Sequence, residues 1–211
     1  MAVYTELTTA DLKQIASIFG LPEITSISNF AGGQENSNYH LIAGGQEYAL
    51  TLCENKTPAE AQTLVDTLRH LEAHGFQTTR IIPTPDGATQ AAIYGKPLLL
   101  KSYLSGTVID PLPPATMEPL GQAMARLHQV PVPDFLPTRL AYGRETFSPM
   151  QQNFGGPHPF LDWLKKIEKY LKDHFPEDLP NALIQDEIFA DKLILWPDHG
   201  PVSRDCETAT N

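Results

Sequence analysis

Between Ile24 and Leu104 the chain spells two hairpins with one capped helix between them, an order that points to an antiparallel sheet carrying an inserted helix. Ile24-Thr25-Ser26-Ile27-Ser28-Asn29-Phe30 alternates and is rich in β-branched residues, the pattern of a strand. Residues 38–43 and 47–53 read as hairpin arms around Gly44-Gly45, because glycine takes the positive φ that both corners of a tight turn need. Thr57-Pro58-Ala59-Glu60 is a capping box with proline at the first helical position. Ala61, Leu64, Val65, Leu68 and Leu71 give that helix one apolar stripe, and Gly75 ends it. Residues 89–94 and 97–104 pair as a second hairpin across Gly95-Lys96. Upstream, Thr8 or Thr9 caps a helix with Leu12, Ile15, Ala16 and Phe19 on one face and Gly20 at its C-terminal end.

After Gly106 the texture changes. Asp110-Pro111-Leu112-Pro113-Pro114 is a stiff connector, and Thr116 is placed to cap a helix presenting Leu120, Ala123, Met124 and Leu127. Residues 129–160, rich in proline and glycine, read as a long surface excursion. Leu161, Leu164, Ile167, Leu171 and Phe175 mark another amphipathic helix, stopped by Pro176. Residues 182–184, 193–196 and 200–203 are short strand candidates. The expectation is an α+β protein: a sheet-based N-terminal lobe over residues 1–105 and a mainly helical C-terminal lobe over residues 106–211.

Charge narrows the function classes. Lys and Arg number 15 against 25 Asp and Glu, a formal net charge of −10 in 211 residues. That balance argues against nucleic acid, which demands basic patches, and against an anionic membrane surface. No apolar run is long enough to span a bilayer. The N-terminal Met-Ala-Val-Tyr-Thr-Glu lacks the basic-then-apolar order of a signal peptide. Cys53 and Cys206 make neither a disulfide framework nor a metal knuckle. A cytoplasmic protein is expected.

Three segments carry residue types suited to chemistry. The first is Ala31-Gly32-Gly33-Gln34-Glu35-Asn36-Ser37-Asn38, between two strands, where backbone amides of a glycine-containing loop can approach phosphate oxygens; a plain polar turn has the same composition. The second is Glu60, since kinase-like helices use a glutamate to hold a strand lysine; the strand Tyr48-Ala49-Leu50-Thr51-Leu52 offers no basic partner, and capping accounts for Glu60 by itself. The third is the acidic pair Asp186 and Glu187 with Asp205 downstream, two carboxylate stations that suit a base and a metal ligand or a solvated turn.

In combination these segments resemble the aminoglycoside-phosphotransferase-like superfamily, and within it the homoserine kinases of the phosphotransferase type. Gly-Gly-Gln-Glu-Asn-Ser-Asn-Tyr from residue 32, followed by Tyr-Ala-Leu-Thr-Leu-Cys-Glu from residue 48, looks like that subfamily's nucleotide loop and third strand, with Thr51 where other kinases put lysine. His70-Leu71-Glu72-Ala73-His74-Gly75, the Gly95-Lys96-Pro97 strand running to Gly106, and Leu120 to His128 fit as well. The resemblance implies a two-lobed protein-kinase-like fold and ATP-dependent phosphorylation of the L-homoserine hydroxyl, a step toward threonine. It implies adenine against Ser102, Tyr103 and Leu104, and phosphates under a loop containing Gly32, Gly33, Asn36 and Ser37, with Thr51 and Glu60 nearby. Residues 184–193 lie where the family carries His-Gly-Asp-x-x-x-x-Asn, and residues 202–211 where it carries its metal segment. Glu187 stands for the catalytic Asp, Asp186 for Gly, Gln185 for His and Lys192 for the metal-binding Asn, while Asp205 is the retained magnesium ligand. The Glu187 carboxylate is displaced by about 1.5 Å, one bond length, and an ammonium at 192 repels Mg²⁺. Family members continue past this point with further helices, so the expectation is a truncated C-terminal lobe, impaired activity, and self-association through partly uncovered faces such as those of Leu120/Leu127 and Leu164/Leu171. The alternative is a nucleotide-binding or interaction protein without catalysis.

Overall fold

The structure is a computed structural model that describes residues 5–30, 35–136, 147–174, 182–185, 188, 190, 193–196, 200–203 and 209–210. Its opening elements follow from local rules. Helix α1, Thr9–Phe19, starts at Thr8, whose hydroxyl accepts from the Asp11 amide while the Asp11 carboxylate accepts from the Thr8 amide. Gly20, at φ 62°, closes it. Strand β1, Ile24–Asn29, pairs with β2, Ser37–Ala43, and β2 with β3, Gln46–Leu52. Helix α2, Pro58–Ala73, begins in the expected capping box: the Thr57 amide donates to Glu60 at 2.7 Å and the Glu60 amide returns a bond to the Thr57 hydroxyl. Strands β4, Ala91–Ile93, and β5, Lys96–Ser102, complete a five-stranded antiparallel sheet ordered β1-β2-β3-β5-β4. The turn between β4 and β5 sits at Tyr94-Gly95, one residue before the expected Gly95-Lys96, and both residues have positive φ. Tyrosine tolerates that conformation poorly. Here its hydroxyl donates to Asp11 at 2.6 Å and ties the turn to α1.

Each face of the sheet is covered. Alternation sends Tyr39, Leu41, Leu50, Leu52, Leu98 and Leu100 toward α1, against Ile15 and Phe19. Leu99 and Cys53 point the other way, against Ala61, Leu64, Val65, Leu68 and Leu71 of α2. This second cluster continues into Leu127, Val130, Leu136 and Leu183, so α2 lies between the sheet and the later elements. A buried carboxylate staples the sheet's rim. Glu54, whose side chain is 4% exposed, accepts from Lys96, from the Ser37 hydroxyl and from the Thr5 hydroxyl.

Beyond the sheet, a 3₁₀ turn at Pro114–Thr116 leads into α3, Met117–Gln129. Thr116 does not cap it as expected. The preceding prolines wind Thr116 into a helical conformation, and its hydroxyl donates back to the Pro113 carbonyl at 2.6 Å. Helix α4, Phe147–Asn153, occupies part of the stretch expected to be irregular, and α5 runs Pro159–His174; Phe175 and Pro176 lie outside the described residues. Short ladders follow: β6, Ile184–Gln185, with β9, Ala209–Thr210, and β7, Leu193–Trp196, with β8, Gly200–Ser203. Leu127 and Leu164, expected on uncovered faces, are buried, and Leu120 and Leu171 are half-buried. The apolar surface of α5 lies instead at Phe160, Trp163 and Tyr170. Among the described residues no helix is long and apolar enough to cross a membrane.

Candidate functional site

Register places a small residue where the sheet needs room. Direct cross-strand pairing puts Ser28, His40, Ala49 and Lys101 in one row, and the neighbouring row holds Asn38, Thr51 and Leu99. Paired residues in an antiparallel sheet share a face. Ala49, a methyl group between His40 and Lys101, leaves a hollow beneath the sheet. That hollow is a cleft of about 190 Å³, with Ala49, Asn38 and Lys101 on the sheet side and Ile194 of β7 among its lining.

The segment leaving β5 forms one wall. Ser102, Tyr103 and Leu104 line the cleft, where the sequence reading put the purine contact. The Ser102 amide donates to the Arg80 carbonyl at 2.8 Å, and its carbonyl accepts from the Thr79 hydroxyl at 2.7 Å. The Tyr103 ring stacks on His40 at 4.4 Å and on Phe30 at 6.1 Å, so three rings stand together where Phe30 and Tyr103 line the cleft.

The chain then passes Gly106. A Cβ there would meet the Ile194 side chain at 2.3 Å and the Leu195 carbonyl oxygen at 2.8 Å. This close approach lets Thr107 and Leu195 exchange two backbone hydrogen bonds, of 3.2 and 3.0 Å. Glycine at 106 therefore holds Ile194 across the cleft from the sheet.

The other expected site residues take different places. Thr51 is fully buried one row from Ala49, and its hydroxyl donates to the Asn38 side chain at 2.6 Å, orienting an amide that lines the cleft. Asn36 is buried just before β2, and its backbone carbonyl accepts from the Asn38 side-chain amide at 3.5 Å. Ser37 has the opposite parity to Asn38, so its hydroxyl joins Glu54 rather than the cleft. Glu60 is exposed and engaged in capping; bonds from the Thr57 amide and hydroxyl hold its carboxyl below the usual range. Gly32, Gly33, Asp186, Glu187, Lys192 and Asp205 lie outside the described residues. Among the described residues no group of three His, Cys, Asp or Glu side chains is gathered to hold a metal.

Sequence reasoning missed Ala49 and Lys101 as cleft residues, and had Asn38 only as the end of the polar loop. Parity was the available signal, since each faces the same way as Thr51 once the register is known.

Comparison with known proteins gives this geometry a context. The sequence pattern of the phosphotransferase enzyme family matches residues 26–201. The homoserine kinase of Paramagnetospirillum magneticum is 30% identical over 207 residues, covering 94% of this chain and 63% of that protein. The homoserine kinase of Sinorhizobium fredii is 28% identical over 204 residues, with coverage of 94% and 63%. The chain thus spans just under two thirds of the length of these relatives. Among solved structures, spectinomycin phosphotransferase in complex with ADP and spectinomycin superposes with a TM-score of 0.68 at 12% identity, covering 97% of this chain and 70% of that one. A thermostable mutant of an aminoglycoside phosphotransferase gives 0.67 at 12% identity, covering 94% and 71%. The sheet with its inserted helix, the cleft beneath it and the match over residues 26–201 have one reading: the fold is the two-lobed, kinase-like α+β fold, and the chain belongs to the phosphotransferase enzyme family.

Proposed function

We propose that this chain binds ATP in the cleft beneath Ala49 and belongs to a kinase of the homoserine kinase type, which phosphorylates the hydroxyl of L-homoserine in the cytoplasm, with strongly reduced turnover. The observation that carries the reading is the cleft itself. Its lining joins the Ala49 methyl, Ile194 and residues 102–104, apolar surface beside polar backbone, which is the chemistry that suits a flat, nitrogen-rich ring. The homoserine kinase relatives support the substrate class. In this reading residues 1–105 are the nucleotide lobe, and residues 106–211 supply the catalytic loop and the metal segment.

When bound, Mg²⁺ neutralises phosphate charge and orients the transferred group. Asp205 is its proposed ligand, and Lys192, standing where the family has the second ligand, weakens that site. Glu187 is the proposed base. Its longer side chain shifts the carboxylate from the position of an Asp, and a misplacement of about 1 Å costs roughly 100-fold in rate.

Two measurements test this. Calorimetric titration is expected to show ADP and ATP binding at millimolar concentrations or below; no heat with either nucleotide rejects the reading of the cleft. Coupled ADP release with L-homoserine is expected at least about 100-fold below the order of 10 s⁻¹ common among enzymes. A rate of that common order shows that Glu187 and Lys192 do not impair the chain.

A further inference from the structure

Lys101 is the least expected side chain of the sheet. It follows Leu98-Leu99-Leu100, is 6% exposed, and lies on the face that looks into the cleft, directly across from Ala49. Lysine is almost never this buried without a partner. The ion pairs among the described residues involve His40, Lys56, Arg80 and Lys96, and Lys101 is in none of them. Taking a charged group out of water without a counter-charge opposes folding. Nothing in the packing of the sheet requires it there, because an apolar side chain would fill the same space at no such cost. A ligand that brings negative charge into the cleft would supply the missing partner.

We propose that Lys101 binds the phosphate groups of the nucleotide held in this cleft, and so supplies from β5 the cation that β3 lacks. The proposal rests on the reading of the cleft as a nucleotide site. Protein kinases place the phosphate-binding lysine on the strand equivalent to β3, but β3 here is Gln46-Glu47-Tyr48-Ala49-Leu50-Thr51-Leu52, without a basic residue. Strands β3 and β5 are direct neighbours, and Thr51 lies in the row next to that of Lys101. Successive rows on one face are about 6.6 Å apart, two residues of strand rise. A lysine stem reaches about 6 Å. With neighbouring strands about 4.8 Å apart, the diagonal from Lys101 to Thr51 is about 8 Å, which the stem and a hydrogen bond of about 3 Å from its ammonium together cover. An ammonium donates and never accepts, which suits phosphate oxygens.

The experiment uses the full chain with Lys101→Met, which keeps length and bulk and removes charge, and Lys101→Arg, which keeps charge. Each is titrated with ADP and with adenosine, and each is melted without ligand. The proposal expects Lys101→Met to weaken ADP binding about tenfold to a hundredfold, the range for a hydrogen bond to a charged group. It expects adenosine binding to be unchanged, Lys101→Arg to retain most ADP affinity, and the ligand-free melting temperature of Lys101→Met to be equal to or above that of the parent. A purely structural lysine would lower the melting temperature on substitution and spare ADP affinity, which overturns the proposal. Equal losses for ADP and adenosine overturn it too, since the contact would then be with the base. If the parent binds ADP and Lys101→Met binds it equally well, the proposal fails and the nucleotide site stands. If the parent binds neither ligand, the nucleotide site itself fails and the proposal falls with it.

Discussion

Gly106→Ala is expected to melt several degrees below the parent and to bind nucleotide more weakly. The added methyl group would sit 2.3 Å from the Ile194 side chain and 2.8 Å from the Leu195 carbonyl oxygen. Rotation of Ile194 relieves the first contact. The second is with backbone, and that backbone is fixed by its paired hydrogen bonds to Thr107. Relief requires β7 to retreat from the segment that leaves β5. Overpacking of this kind costs about 1–3 kcal/mol, and each kcal/mol lowers the melting temperature of a chain this size by about 2–4 °C. The retreat also carries Ile194 away from Ala49, so a ring held between them loses contact on one side. Thermal melting and ADP titration measure the two effects on the same sample. Unchanged values in both would show that β7 does not rest against residue 106.

Glu54→Gln is expected to cost about 2–3 kcal/mol, because it takes the charge from a buried acceptor while Lys96 keeps its own. Lys96, one-third exposed, recovers part of its hydration, which keeps the loss below that of a fully enclosed pair. The same residue makes folding sensitive to acid. Burial raises the Glu54 pKa, but the bonds from Lys96, Ser37 and Thr5 outweigh it and hold the group below 4.5. Asp11 is held below 3.8 by bonds from the Tyr94 hydroxyl and from Thr8. For a carboxylate with a depressed folded pKa, the unfolded chain takes up protons first as pH falls. The stabilisation is therefore complete above the unfolded value and is lost as pH drops through the folded one. Denaturant titration from pH 7 to pH 3 is expected to show the parent weakening below about pH 4.5, with the gap to Glu54→Gln closing over the same range. A gap as wide at pH 3 as at pH 7 would mean that the charge of Glu54 is not what stabilises the rim.

The legible part of the fold is the part written in local chemistry. Thr8 with Asp11 and Thr57 with Glu60 state where two helices begin, and Gly20, Gly44 and Gly45 state where chains turn. Thr116 misled because threonine before a helix reads as a cap, while the prolines at 113 and 114 had already set the backbone. Helix α4 was hidden by Pro149 and by the glycines around it, and β9 by its two-residue length. At the site, residues 102–104 were found through resemblance. The Ser37 hydroxyl turns to Glu54, a direction a sequence does not give, since it does not say which face of β2 looks into the cleft until both faces are covered. Lys101 stands out only once its burial is known, because a lysine after an apolar run has the composition of a segment reaching water.

The Glu54 staple also bears on the order of assembly. It joins Thr5 to residues 32 and 49 positions away, and Lys96 to residues 42 and 91 positions away. Loops of that span close only after the intervening strands have found their register. Contacts made after the rate-limiting step leave the folding rate nearly untouched and set the rate of escape from the native state. The segment around Thr5 is thus a last-closed, first-opened seam. Its three oxygen and nitrogen partners govern how long the folded sheet persists, not how fast it forms.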